Sequence, residues 1–188
     1  GGKGAMERAS VSLSEVRQAG PLTVAGSLYC ARGEFIRRLW LPEGLLGDDG
    51  FVRAMLLTDC FSSPERMDRI VRAPDSAHFF VASSGISQTF RHSKRLAVGT
   101  AMNAILFDHL WEHKNGEDGG TYFKRRTDGD AGWVRRLIRD EVKGRGYWVV
   151  GTGESLRHFQ NLRGLPLLRR LRMLPVCLAA TLFDFAVL

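Results

Sequence analysis

Two adjacent carboxylates, Asp48 and Asp49, stand directly before an apolar periodicity at Phe51, Val52, Met55 and Leu56. That spacing predicts a helix, because positions three and four apart share one face. The first turn of a helix carries backbone N–H groups without partners and the positive end of the dipole. A carboxylate there can cap the helix, accept a proton from a substrate hydroxyl, or bind a metal. A second group is cationic: in Arg91-His92-Ser93-Lys94-Arg95, the residues Arg91, Lys94 and Arg95 share a helical face. Arginine forks grip phosphate oxygens in pairs, so this face could hold a diphosphate.

Two further patterns carry possible chemistry. His109-Leu110-Trp111-Glu112-His113 has the H-x-x-E-H form of inverted zinc peptidases. Zinc needs at least three protein ligands, and only Glu141 or Glu154 could add one, so no metal ligand is assigned in the chain. Asp128-Gly129-Asp130 is formally a D-x-D, but it stands in a Gly-rich charged stretch where turn chemistry is the plainer use.

The chain that must position these residues has 188 of them, with Lys+Arg 27, Asp+Glu 20 and a formal net charge of +7. A hydrophobic share of 44% supports a core and excludes general disorder. Cys30, Cys60 and Cys177 are too few and too far apart for a disulfide scaffold and are expected to stay reduced.

Along the chain, residues 1–21 form a polar lead-in or linker. Residues 22–31 read as a buried strand, and residues 34–40 as a helix stopped by Pro42. The helix after Asp48 or Asp49, either of which could be its N-cap, comes next. Residues 69–71 and 78–82 read as short strands around the turn at Pro74 and Asp75. Ser87 is expected to cap a helix reaching about Trp111, ended by Asn115 and Gly116, so that residues 22–111 make one domain. Residues 112–132 are expected to be a loop, and residues 133–174 basic amphipathic helices, the first over 133–142. Residues 175–188 are apolar and read as the start of a segment that would continue into a membrane. No acidic residue lies between Glu154 and Asp184, while Arg157, Arg163, Arg169, Arg170 and Arg172 alternate with Leu and Phe. A basic amphipathic stretch running into an apolar one predicts attachment to a membrane surface, with the arginines cytoplasmic.

Four segments in order carry a resemblance: residues 26–32, residues 41–51 with Asp48-Asp49, the Pro74-Asp75-Ser76-Ala77 turn, and residues 91–100 with His92 and Arg95. Together they resemble the C-terminal, acceptor-side half of a family 2 glycosyltransferase of GT-A type. Asp49 falls on the second acid of that family's pair, its catalytic base, and Asp48 on the first. His92 and Arg95 fall on the Gln and Arg of its Q-x-x-R-W motif; His92 replaces the usual Gln and Leu96 the usual Trp. The resemblance covers residues 22–100 and implies an α/β fold, a mixed sheet flanked by helices, followed by interfacial and membrane-proximal helices. It also implies an inverting transferase of cell-envelope polysaccharide type, moving a sugar from a nucleotide diphosphate sugar to a glycan or lipid acceptor. Asp49 would deprotonate the acceptor hydroxyl, while Arg95, His92 and Arg91 would hold the diphosphate across a shared cleft. Mg²⁺ or Mn²⁺ would be the cofactor, with its ligands mostly outside this chain.

Both ends look cut, so the chain is expected to be a fragment without the donor-nucleotide half, inactive alone. Its expected location is the membrane, with the catalytic part cytoplasmic. Two alternatives stand beside the transferase. One is a non-enzymatic basic module binding an anionic membrane or a nucleic acid, and the other a zinc peptidase-like site at His109 and His113. Nucleic acid is the less expected partner, because the aromatics sit within apolar periodicities rather than between basic residues.

Overall fold

Helical periodicity dominates wherever the chain is described. The computed structural model describes residues 29–71, 86–146, 159, 162 and 165–187. Six α-helices appear among them: α1 Gly33–Arg38, α2 Asp48–Leu57, α3 Ile86–His113, α4 Gly119–Gly129, α5 Trp133–Arg145 and α6 Leu167–Val187. A 3₁₀ turn, Met67–Arg69, follows α2. The chain divides into two compact units. One holds residues 22–78 and 98–149, the other residues 1–21, 79–97 and 150–188.

The expected α/β fold is overturned. Helix accounts for 71% of the interpretable chain, and no strand or sheet occurs among the described residues. The reason is visible at residues 69–71. Arg69 closes the 3₁₀ turn, and its guanidinium donates to the Leu57 carbonyl at 3.2 Å. Ile70 has extended dihedrals (φ −117°, ψ 126°), yet it belongs to no strand among the described residues. β-Branched residues favoured the right local backbone, but a sheet also needs a ladder partner. Residues 29–31 likewise form no strand, while 22–28, 78–82 and the Pro74-Asp75 turn lie outside the described residues.

The core of the first unit lies among α2, α3, α4 and the start of α5. It collects Phe51 and Met55 from α2, Leu106 and Leu110 from α3, Tyr122 and Phe123 from α4, and Trp133 and Val134 from α5. Phe51 is central: its ring centroid lies 5.5 Å from Phe123 in an edge-on contact and 5.7 Å from Phe107. Phe61 adds Phe107 and Trp111, each at 5.4 Å. Truncating a buried aromatic of this kind to Ala costs about 3–5 kcal/mol.

α4 corrects the expected loop over residues 112–132. Its glycines mask a standard start: Asp118 is the N-cap and its carboxylate accepts from the N–H groups of Gly120 and Thr121. The expected ending of α3 at Asn115 and Gly116 is observed, and both residues have positive φ (51° and 83°). α3 itself begins at Ile86, one residue before Ser87.

A turn absent from the sequence reading joins α2 to the core. Asp59, Cys60 and Phe61 all have left-handed dihedrals, with φ of 51°, 55° and 61°. Each costs about 1 kcal/mol in a non-glycine residue. Among the hydrogen bonds that hold the turn are those from Cys60 N to Met55 O (2.7 Å), Phe61 N to Thr58 Oγ1 (2.8 Å) and Gly119 N to Cys60 O (2.6 Å).

In the second unit, α6 runs as one helix through the boundary expected between residues 174 and 175, with Pro175 inside it. Proline there leaves the Leu171 carbonyl without its usual i+4 donor. No helix among the described residues is long and apolar enough to cross a membrane.

Candidate functional site

Asp48 and Asp49 occupy the first turn of α2, as the periodicity predicts, but neither is the N-cap. Gly47 takes that position, and no side chain caps the helix. Both carboxylates are exposed, and Asp49 Oδ1 accepts from the N–H of Gly50 at 2.8 Å. Asp48 and Asp49 therefore sit where the helix dipole favours negative charge.

Arg91, His92 and Arg95 lie on the early turns of α3 and are exposed. They belong to the second compact unit, whereas Asp48 and Asp49 belong to the first.

Asp128 and Asp130 do not converge as a D-x-D pair. Asp128 accepts from Lys124 Nζ one helical turn earlier, at 2.6 Å. Asp130 is the C-cap of α4, accepts from Gly132 N at 3.1 Å and pairs with Arg136.

His109 and His113 are brought together, with near-parallel rings whose centroids are 4.4 Å apart. One nitrogen of each ring is engaged: His109 Nε2 meets the Tyr122 hydroxyl at 2.8 Å, and His113 Nδ1 meets the His109 carbonyl at 3.1 Å. Among the described residues no group of three His, Cys, Asp or Glu side chains could hold a metal ion. The pair is instead one wall of an aromatic corner, with Trp133 at 5.4 Å and Tyr122 at 5.8 Å from the His109 ring. Desolvation, then the neighbouring His113 and Arg126, hold the His109 imidazole below its ordinary value of 6.5.

A row of exposed leucines stands on α6. Leu167, Leu171, Leu174, Leu178 and Leu182 recur at spacings of four, three, four and four, which lays them along one face. All five are exposed, Leu167 at 70%, Leu171 at 56% and Leu182 at 62%, and Leu168 beside them reaches 85%. Cys177 and Thr181, along one edge of that row, are buried. Arg169 and Arg172 are exposed in the first two turns, whereas Arg170, three positions after Leu167 and four before Leu174, is half-buried beside the row and donates to the Leu165 carbonyl at 3.3 Å. The basic amphipathic pattern was legible in the sequence; which side of it remains exposed was not.

The chain matches no family model, no curated protein and no solved structure.

Proposed function

We propose that this protein is a non-enzymatic, basic helical module that docks on an anionic lipid membrane through α6. The observation carrying the reading is the row of exposed leucines on a helix whose basic turns contain no acidic residue. An exposed apolar face of this length needs a cover, since water-facing leucines gain free energy from any dry contact. Charge selects the occupant: three arginines within four positions, in a chain of net charge +7, complement acidic headgroups. Each half-exposed leucine transferred from water contributes about 1 kcal/mol, and each arginine near an anionic surface about 1 kcal/mol. Neither set alone gives strong attachment, and the two together do.

The transferase expectation depended on a sheet to carry its donor and acceptor sites, and the fold described above supplies none among the described residues. Purified chain incubated with nucleotide sugars and Mg²⁺ or Mn²⁺ is expected to transfer no sugar, and turnover would restore that reading.

The docking itself is tested by co-sedimentation with vesicles of phosphatidylcholine, with and without phosphatidylserine. Binding is expected only with the anionic lipid, weaker at 0.5 M salt, and lost in Leu171→Glu/Leu178→Glu. Arg169→Glu/Arg172→Glu should weaken it at least tenfold. Equal binding to neutral vesicles, or none to either, would refute the reading. So would a stable dimer in solution that the leucine substitutions dissociate, because a second copy would then be the cover.

A further inference from the structure

The corner where α3 ends against α4 and α5 combines packing with a titratable pair. His109 and His113 stack face to face, one ring resting on the Tyr122 hydroxyl and on Trp133. We propose that this corner is an acid-sensitive clasp: a proton on His109 loosens the seating of the α3 C-terminus on α4 and α5.

The surroundings from each element are these. On α3, His113 is stacked against the ring, Glu112 lies one residue before it, and Asp108 is drawn off by Arg145 at 3.5 Å. From α4 come the Tyr122 hydroxyl and Arg126, whose guanidinium lies 5.3 Å from the centre of the Trp133 ring. From α5 come Trp133 itself and Glu141, which is engaged by Arg145 at 2.8 Å. Glu112 and Glu141 favour the charged imidazole, but desolvation, His113 and Arg126 outweigh them.

The hydrogen bond supplies the mechanism. In the Nδ1–H tautomer, neutral His109 offers the lone pair of Nε2 and Tyr122 donates its hydroxyl proton to it. Protonated His109 has no lone pair there, so Nε2–H must donate instead and the Tyr122 proton must turn elsewhere. Tyr122 is 4% exposed, so its hydroxyl then loses a partner in a dry setting. The new positive charge also falls against Arg126 and the second imidazole. Charge and hydrogen bonding thus push the same way, toward opening the corner to water.

The test is a pH titration of the full 188-residue chain by NMR, following the His109 ring and the Trp133 indole from pH 8 to 5. Both are expected to change together, with a midpoint below that of an unfolded-peptide histidine. Tyr122→Phe should move the His109 midpoint upward, because the bond to neutral imidazole is gone, and His113→Gln should do the same. His109→Gln should abolish the Trp133 transition while leaving the pH 8 spectrum of the core unchanged. A Trp133 signal that is flat from pH 8 to 5, or that persists in His109→Gln, would overturn the clasp. A downward move in Tyr122→Phe would overturn the hydrogen-bond mechanism. Should His109→Gln fail to fold, the Tyr122→Phe and His113→Gln midpoints decide the matter alone.

Discussion

The side-chain amide of Asn103, midway along α3, donates to the main-chain carbonyl of Gly47 across 2.8 Å. It ties α3 to the start of α2, where Gly47 O also accepts the first helical bond, from Phe51 N at 3.0 Å. The two helices touch backbone to backbone here. A Cβ on Gly99 would lie 2.9 Å from Gly47 N and 3.0 Å from Gly47 Cα. Asn103 is buried, and its Oδ1 has no partner.

Gly99→Ala is therefore expected to force the two helices apart. The overlap is with backbone, which cannot swing aside, so the loss should be about 1–3 kcal/mol. Asn103→Ala should cost about 1 kcal/mol or less, since one hydrogen bond is lost while an unsatisfied oxygen is removed. Urea denaturation midpoints of the two variants should rank in that order. The reverse order would mean the close approach does not bear on stability.

At the start of α4, Asp118→Ala should remove about 0.5–2 kcal/mol, the value of a side-chain N-cap. Asp118 also accepts from Thr121 Oγ1 at 2.6 Å, so Asp118→Asn should keep part of the loss from appearing. Gly120→Ala should be worse than either, because its methyl would overlap the Arg38 carbonyl. Thermal midpoints measured on the three proteins check this; a Gly120→Ala protein as stable as wild type would contradict the packing.

Stability should fall with acid below about pH 6.5. His109 binds its proton less readily when folded, so the unfolded chain holds more protons in that window. The contribution is intact above the unfolded value and is lost as pH drops toward the folded one. Urea midpoints at pH 8, 7, 6 and 5.5 should decline in wild type and decline less in His109→Gln. Parallel profiles for the two would remove His109 as the cause.

Thiol chemistry should separate the cysteines. Burial pushes the Cys60 thiol up to about 11, and burial raises the Cys177 thiol as well. Cys30 is exposed. Ellman's reagent at pH 8 should label one thiol quickly and the other two only after guanidinium unfolding. Rapid labelling of Cys60 in the native protein would mean the turn at 59–61 opens readily.

The Arg38–Asp59 pair beside that turn is a weak handle by comparison. Its 2.7 Å contact joins side chains about two-fifths exposed, so removing it should change stability by about 1 kcal/mol at most.

Periodicity by itself determined α2, α3 and α5, and the run of basic residues on α6. Those features depend on neighbours three or four positions away, which the chain displays directly. The glycines before Thr121 concealed α4, although Asp118 followed by Tyr122 and Phe123 was a readable start. The short apolar run at 69–71 suggested a strand because extended propensity and sheet membership look alike in one segment. Tertiary structure decided the rest: that Arg69 closes a 3₁₀ turn, that Asp49 and Arg95 fall in different units, and that His109 meets Tyr122. It also left the α6 leucines facing outward. Contacts such as these depend on residues far apart in sequence, and hydrogen-bond and packing partners are chosen only when distant segments meet.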